Sequence, residues 1–113
     1  MEQTESRIHG DIVKHIWNTY PITRGLLFHV PNQGKKSIVE ASLLKAMGVL
    51  AGVSDLIFLW EGRAYFLEVK TPTGVQSKVQ KEFEVRIKEN GFNYYIVKSI
   101  QDAEGVIRNI INA

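Results

Sequence analysis

The sequence predicts an α/β layer structure, a mixed central sheet flanked by helices in the order α-β-α-β-β-α-β-α. Three observations lead there. Helix-spaced apolar stripes alternate with short strand-like runs along the whole chain. Two of those runs, Asp55 to Trp60 and Ala64 to Lys70, are separated by little more than Glu61-Gly62, a turn-like pair that marks a hairpin. And 113 residues with 44% hydrophobic content are enough for one ordinary core and no more. With no internal repeat, low-complexity segment or linker, residues 1–113 are expected to pack as a single domain.

Taken in order, Ile8, Ile12, Val13, Ile16 and Tyr20 recur at helical spacing from Thr4 to Tyr20, with Thr4 or Ser6 available as a cap and Pro21 as the stop. Leu26-Leu27-Phe28-His29-Val30 reads as a short strand ended by Pro31. Ser37 and Glu40 have capping-box spacing, so a second helix is expected from about residue 38 to Leu50, with Val39, Leu43, Met47 and Leu50 on one face. After the hairpin, Pro72 and Gly74 precede a third helix, about Gln76 to Asn90, whose buried stripe would be Val79, Phe83 and Ile87; Glu82/Arg86 and Glu84/Lys88 can pair outside. Phe92 to Lys98 is a further strand, and Ser99 with Asp102 opens a last helix carrying Ile107, Ile110 and Ile111.

Composition narrows the chemistry. A net charge of +2 excludes a polybasic tail, so any nucleic-acid surface must be local. Without cysteine there are no disulfides, thiolate zinc sites or cysteine nucleophiles. The start Met-Glu-Gln-Thr-Glu lacks the regions of a signal peptide, and no apolar run approaches the ~20 residues of a membrane helix, so a soluble cytoplasmic protein is expected. No glycine loop of the phosphate-cradling type is present, so no nucleotide cofactor is expected.

The hairpin carries the chemistry because its register can be estimated. A turn centred on Glu61-Gly62 sets Trp60 opposite Arg63, Phe58 opposite Tyr65, and Asp55 opposite Glu68. Opposed side chains have Cβ atoms about 4.5–5.5 Å apart, so two carboxylates would stand side by side, and Lys70 would project from the same face as Glu68. Both faces of the hairpin are apolar, Ile57, Leu59, Ala64 and Phe66 on one and Leu56, Phe58, Tyr65, Leu67 and Val69 on the other, which reads as a sheet covered on both sides. Partly desolvated like charges at its end call for a cation, and oxygen ligands without Cys or clustered His select Mg²⁺ or Mn²⁺. Lys70 beside such an ion could orient water and stabilise charge on a phosphate. The plain alternative is a strand-end cluster in which Lys70 merely pairs with Glu68.

Glu5 falls among Ile8, Ile12 and Ile16 on the helical wheel and is a candidate further ligand, direct or through water, or simply a favourable acid in a first helical turn. Gln80, with Gln76 one turn earlier, edges the third helix's stripe, where either amide could orient the lysine or a phosphate. Asn32, Gln33, Lys35 and Lys36, in a polar loop entering a capped helix, and Lys78 on the third helix are candidate DNA contacts. His9, His15 and His29 make no local metal-binding pair; His29, in a strand near the cleft, is the one of interest.

Asp55, then Glu68-Val69-Lys70 on the next strand, then Gln80 on the following helix, resembles the PD-(D/E)XK nuclease superfamily. The stretches Phe28-His29-Val30-Pro31-Asn32, Gly52-Val53-Ser54-Asp55-Leu56-Ile57, Phe66-Leu67-Glu68-Val69-Lys70-Thr71-Pro72 and Ser77-Lys78-Val79-Gln80, with Glu5, resemble more closely the stand-alone VRR-NUC (virus-type replication-repair nuclease) domain. Ser54 stands where that family often has proline. The resemblance implies a PD-(D/E)XK-like restriction-endonuclease fold and a Mg²⁺- or Mn²⁺-dependent endonuclease. Asp55, Glu68 and the Val69 carbonyl would hold the metal, Lys70 would position water, Glu5 would be the acid of the first helix and Gln80 the supporting amide. It further implies a homodimer of phage or bacterial type, acting on branched DNA such as Holliday junctions. A non-catalytic DNA-binding or assembly module on the same fold is the alternative.

Overall fold

In the computed structural model, residues 2–31 and 37–113 are described, and the order of elements is the expected one with a single short 3-10 turn added, Pro21–Thr23. Helix α1 (Glu5–Thr19) is followed by strand β1 (Leu27–His29), helix α2 (Ile38–Ala46), strands β2 (Leu56–Trp60) and β3 (Arg63–Val69), helix α3 (Lys78–Glu89), strand β4 (Asn93–Val97) and helix α4 (Ile100–Ile111). The strands form one sheet in the order β1-β2-β3-β4, antiparallel except for the parallel β3/β4 pair that α3 connects.

The hairpin register is the one read from the sequence: Trp60 pairs with Arg63, Phe58 with Tyr65 and Leu56 with Leu67. Glu61 and Gly62 both have positive φ, 47° and 78°, the backbone that a two-residue hairpin turn with the native strand twist requires. This turn fixes the register, and the register in turn brings Asp55, just before β2, level with Glu68 in β3.

The core lies on one face only. Ile8, Ile12 and Ile16 of α1 and Ala103, Ile107 and Ile110 of α4 pack against Leu27, Leu56, Phe58, Leu67, Val69 and Val97 of the sheet. Burial of each such aliphatic side chain contributes about 1.5–3 kcal/mol, and the i, i+4 spacing of the three isoleucines places them all on that interface. The other face departs from the expectation of full cover. There Phe66 packs edge-on against Phe83 and Phe92, and Phe83 against Tyr94, but Leu59 and Ile96 remain 40% exposed.

Two helices explain the shortfall. In α3 no residue is fully buried: Phe83 and Ile87 are half-buried and Val79 is exposed, because α3 covers the β3/β4 side of the sheet and leaves β2 open. Glu84 pairs with Lys88 as expected, whereas Glu82 pairs with Lys78 rather than Arg86. Helix α2 is shorter than expected. It ends at Ala46, with Gly48 at φ 95°, and Val39, Leu43, Met47 and Leu50 are all exposed. Its start is as read: the Ser37 hydroxyl accepts the Glu40 N–H and donates to the Glu40 carboxylate.

Candidate active site

Four segments converge at the end of the sheet where β3 finishes: the chain entering β2, the β3 terminus, and the starts of α1 and α3. Asp55 is nearly buried, and its Oδ2 accepts the Val69 N–H at 2.7 Å, so the carboxylate ties the two hairpin strands together beyond their last paired residues. Its backbone carbonyl accepts the Val30 N–H and the His29 Nδ1–H, at 2.9 and 2.8 Å, anchoring β1 to the same point. Ser54 beside it is buried, with its hydroxyl on the Leu56 carbonyl at 3.3 Å.

Glu68 is completely buried. Its Oε1 accepts the Tyr94 hydroxyl at 2.6 Å and the Gln76 amide at 2.9 Å. The second Gln76 N–H goes to Glu84 at 2.9 Å, so both hydrogens of that amide are committed to carboxylates and its orientation is fixed. Burial pushes the Tyr94 hydroxyl far above the ordinary tyrosine range, and donation to Glu68 pushes it further, so Tyr94 serves Glu68 only as a donor. Burial pushes Glu84 upward as well, but the hydrogen bonds from Lys88 and Gln76 and the Lys88 charge carry it below the usual range overall.

Glu68 Oε2, by contrast, has no hydrogen-bond donor; the nearest cation is Lys70 Nζ at 3.7 Å. Lys70 is itself nearly buried and lies 4.0 Å from Glu5 on its other side. Burial raises the Glu5 carboxyl above its ordinary value; the Lys70 ammonium opposes that rise, and Asp55 and Glu68 add to it. The lysine thus sits between two acids, with hydrogen-bonding capacity to spare.

The donor set fits a hard cation. An orphaned, fully buried carboxylate oxygen is costly unless a charge faces it, and Asp55 supplies a second carboxylate alongside. Among the described residues no three His, Asp or Glu side chains gather as a metal-binding group. Two carboxylates with a backbone carbonyl, leaving positions for water and phosphate, suit Mg²⁺ in particular. Glu5, 39% exposed, stands on the far side of Lys70 from Glu68.

The structure brings Asp55, Glu68, Lys70 and Glu5 together, and Val69 lies between them. Gln80 is a correction. Its side chain accepts the Ser77 N–H at 2.8 Å while its own N–H bonds the Ser77 hydroxyl, closing a capping box at the start of α3. The cap holds the Gln80 side chain at the helix start by its oxygen, and the amide that donates to Glu68 is instead Gln76, outside the helix. Gln76→Ala is therefore expected to weaken binding of a divalent cation at Glu68 about 10–100-fold by releasing that carboxylate. Gln80→Ala should cost about 1 kcal/mol of stability and leave cation affinity within a few-fold. Melting curves and Mn²⁺ titrations of the two variants check this.

Tyr94 was not visible as a site residue, because only the parallel register, Phe66 beside Tyr94 and Glu68 beside Ile96, sets its hydroxyl against Glu68. His9 was missed as well. Four residues after Glu5 on α1, it meets His29 edge to face, ring centroids 4.4 Å apart, and a cavity of about 260 Å³ is lined by Glu5, Ser6, His9, His29 and Asp55. Burial lowers the His9 pKa and the neighbouring His29 lowers it further, against the pull of Asp55. Lys78 is exposed and pairs with Glu82. Asn32, Gln33, Lys35 and Lys36 lie outside the described residues.

A buried carboxylate pair and a lysine at the end of a mixed sheet, with a helix leading in and a crossover helix leading out, define the class: an α/β fold with an acidic site at its sheet terminus. No family model and no curated protein matches the chain. Among solved structures, a "VRR_NUC domain protein" is 23% identical with a TM-score of 0.81, over 97% of this chain and 89% of that one. A "VRR_NUC domain" is 20% identical with a TM-score of 0.60, over 94% and 97%. The chain has the VRR_NUC fold, over nearly its whole length.

Proposed function

We propose that this domain is a metal-dependent endonuclease that hydrolyses phosphodiester bonds in DNA, with Asp55, Glu68 and Lys70 as its active centre. The buried Glu68 oxygen that lacks a donor, facing Lys70 and level with Asp55, is the observation that carries the reading. Asp55, Glu68 and the Val69 carbonyl would hold Mg²⁺ or Mn²⁺. When bound, such an ion supplies Lewis-acid polarisation of the phosphate and lowers the pKa of water.

The chain's own groups do the rest. The Val69 N–H holds one Asp55 oxygen and leaves the other for the site. Tyr94 and Gln76 hold Glu68 Oε1 and direct Oε2 toward Lys70. The Lys70 ammonium, between Glu68 and Glu5, is placed to orient the attacking water and to stabilise negative charge developing on the phosphate. Glu5, with its raised pKa, is suited to accept a proton from that water.

Branched DNA such as a Holliday junction is the proposed substrate and a homodimer the proposed assembly, on the strength of the resemblance and of the apolar surface on α2. Ile38, Val39, Leu43, Met47 and Leu50 are each more than half exposed, an apolar patch that in water favours a second copy as cover. Met47→Glu with Leu43→Glu is expected to convert a dimer to a monomer in sedimentation while leaving the fold intact; a wild-type monomer at micromolar concentration would remove the dimer from the reading. The test of function is cleavage of a four-way junction, with flap, blunt duplex and RNA substrates alongside, in Mg²⁺ or Mn²⁺ and in chelator. Binding without cleavage of any substrate would leave the DNA-binding module as the better account.

A further inference from the structure

The pocket at Asp55 borders a second one. A groove of about 450 Å³ between α1 and β1 has His9 and His29 in its wall, the same two rings that wall the Asp55 pocket, so the two spaces share a boundary. Beyond the histidines the groove is lined by Lys14 and Trp17 of α1, by Arg24 and by Phe28 of β1. No acid lines it. Asp11 and Glu104, the nearest acids along α1 and α4, are taken up by Arg7 and His15.

The walls are rigid and chemically mixed. The Trp17 indole N–H donates to the Leu27 carbonyl at 3.1 Å, which fixes the ring against β1. Arg24 donates from Nε to the Trp17 carbonyl and from one terminal nitrogen to Asn18, both at about 3.0–3.1 Å, which holds its guanidinium at the groove with its remaining N–H groups unspent. Lys14 is exposed and makes no ion pair among the described residues. Phe28, on the edge strand β1 and part of the groove's lining, is 37% exposed. His29, donating Nδ1–H to the Asp55 carbonyl, keeps its other ring nitrogen free.

We propose that this groove holds an unpaired nucleic-acid strand running to or from the scissile phosphate, with Phe28 stacking on a base and Lys14 and Arg24 holding backbone phosphates. Alternation of cations with open aromatic rings is what single strands require, because bases in an intact duplex offer no free face to Phe28. Phosphate complements a groove with two permanent cations and no acid. The shared histidines make the track continuous with the catalytic pocket. The inference rests on the nuclease reading and adds to it which side of the active centre takes an unpaired strand.

The test uses the full chain in Ca²⁺, with an oligothymidylate of about 12 nucleotides, within the usual span of a single-strand site, and a blunt duplex as probes. In a Trp60→Phe background Trp17 is the only tryptophan, and the oligothymidylate is expected to quench its fluorescence while the duplex does not. Anisotropy of the labelled oligonucleotide with the unaltered Trp60 chain repeats the measurement. Phe28→Ala should weaken binding about tenfold. Lys14→Glu should weaken it further and flatten the salt dependence by about 0.7 in log–log slope per lost phosphate contact. No quenching together with no anisotropy change, or equal affinity in wild type and both variants, would overturn the groove. Junction cleavage in Mg²⁺ separates the two proposals. Normal cleavage with unchanged KM in both variants removes the groove and keeps the nuclease, whereas strand binding by a wild type that cleaves nothing removes the nuclease and keeps the groove.

Discussion

Lys70→Met is expected to lower single-turnover cleavage about 10²–10³-fold while DNA binding in Ca²⁺ stays within a few-fold, because methionine keeps the buried stem and removes only the charge. The ammonium stands 3.7 Å from Glu68 and 4.0 Å from Glu5, where it can orient a water and meet charge developing on the phosphate. Without it, Glu68 has no cation facing its orphaned oxygen. The metal-free variant should therefore also lose stability, at the low end of the roughly 3–5 kcal/mol seen when one partner of a buried pair is removed, since Glu5 is partly solvated.

Asp55→Asn is the companion. Its Oδ1 can still accept the Val69 N–H, so the strand ends stay joined and only the charge is lost. Cleavage should fall at least as far as with Lys70→Met, and the thermal stabilisation that Mg²⁺ or Mn²⁺ gives the wild type should shrink with it. Rates within twofold of wild type for both variants would sink the active-centre assignment.

The largest effect on the fold is expected from Gly52→Ala. Gly52 has φ 82°, and an added Cβ would lie 2.3 Å from the Val79 carbonyl oxygen and 2.5 Å from its carbon. Those are backbone atoms in the first turn of α3, so no side chain can swing away. The strained φ and the forced displacement each cost about 1–3 kcal/mol, for a combined loss of roughly 2–6 kcal/mol. Displacement here also reaches the site, since the segment from Gly52 leads in three residues to Asp55, and α3 begins next to Gln76. A melting temperature within two degrees of wild type would contradict the close approach. Gly48→Ala is the control: its φ is equally positive, 95°, but an added Cβ meets nothing within 4 Å, so it should cost only about 1 kcal/mol.

Much of this was legible before any tertiary information. The hairpin register followed from Glu61-Gly62, because a two-residue turn leaves one way to pair the flanking strands, and it set Asp55 level with Glu68. The stripe of Ile8, Ile12 and Ile16 placed α1 on the core, and the caps at Thr4, Ser37 and Ser99 were readable because each side chain bonds a backbone N–H three residues on. In α2 and α3 the same periodicity misled. Val39, Leu43 and Met47 mark a face, but periodicity says only that a face is apolar, not that this chain covers it.

Within the site, the choice between Gln76 and Gln80 turned on where α3 begins. Ser77 caps the helix, so the third residue inside it, Gln80, is drawn into the capping box and Gln76 is left free outside. The sequence by itself determined the elements, the hairpin register and the carboxylate pair with its lysine, since all of these depend on residues near one another in the chain. Only the tertiary structure decided that Tyr94 holds Glu68, that His9 meets His29, and that α1 and β1 enclose a groove beside them. Those contacts join residues 26, 20 and 11 or so positions apart, brought together by strand order and helix packing, for which no local pattern of side chains carries a signal.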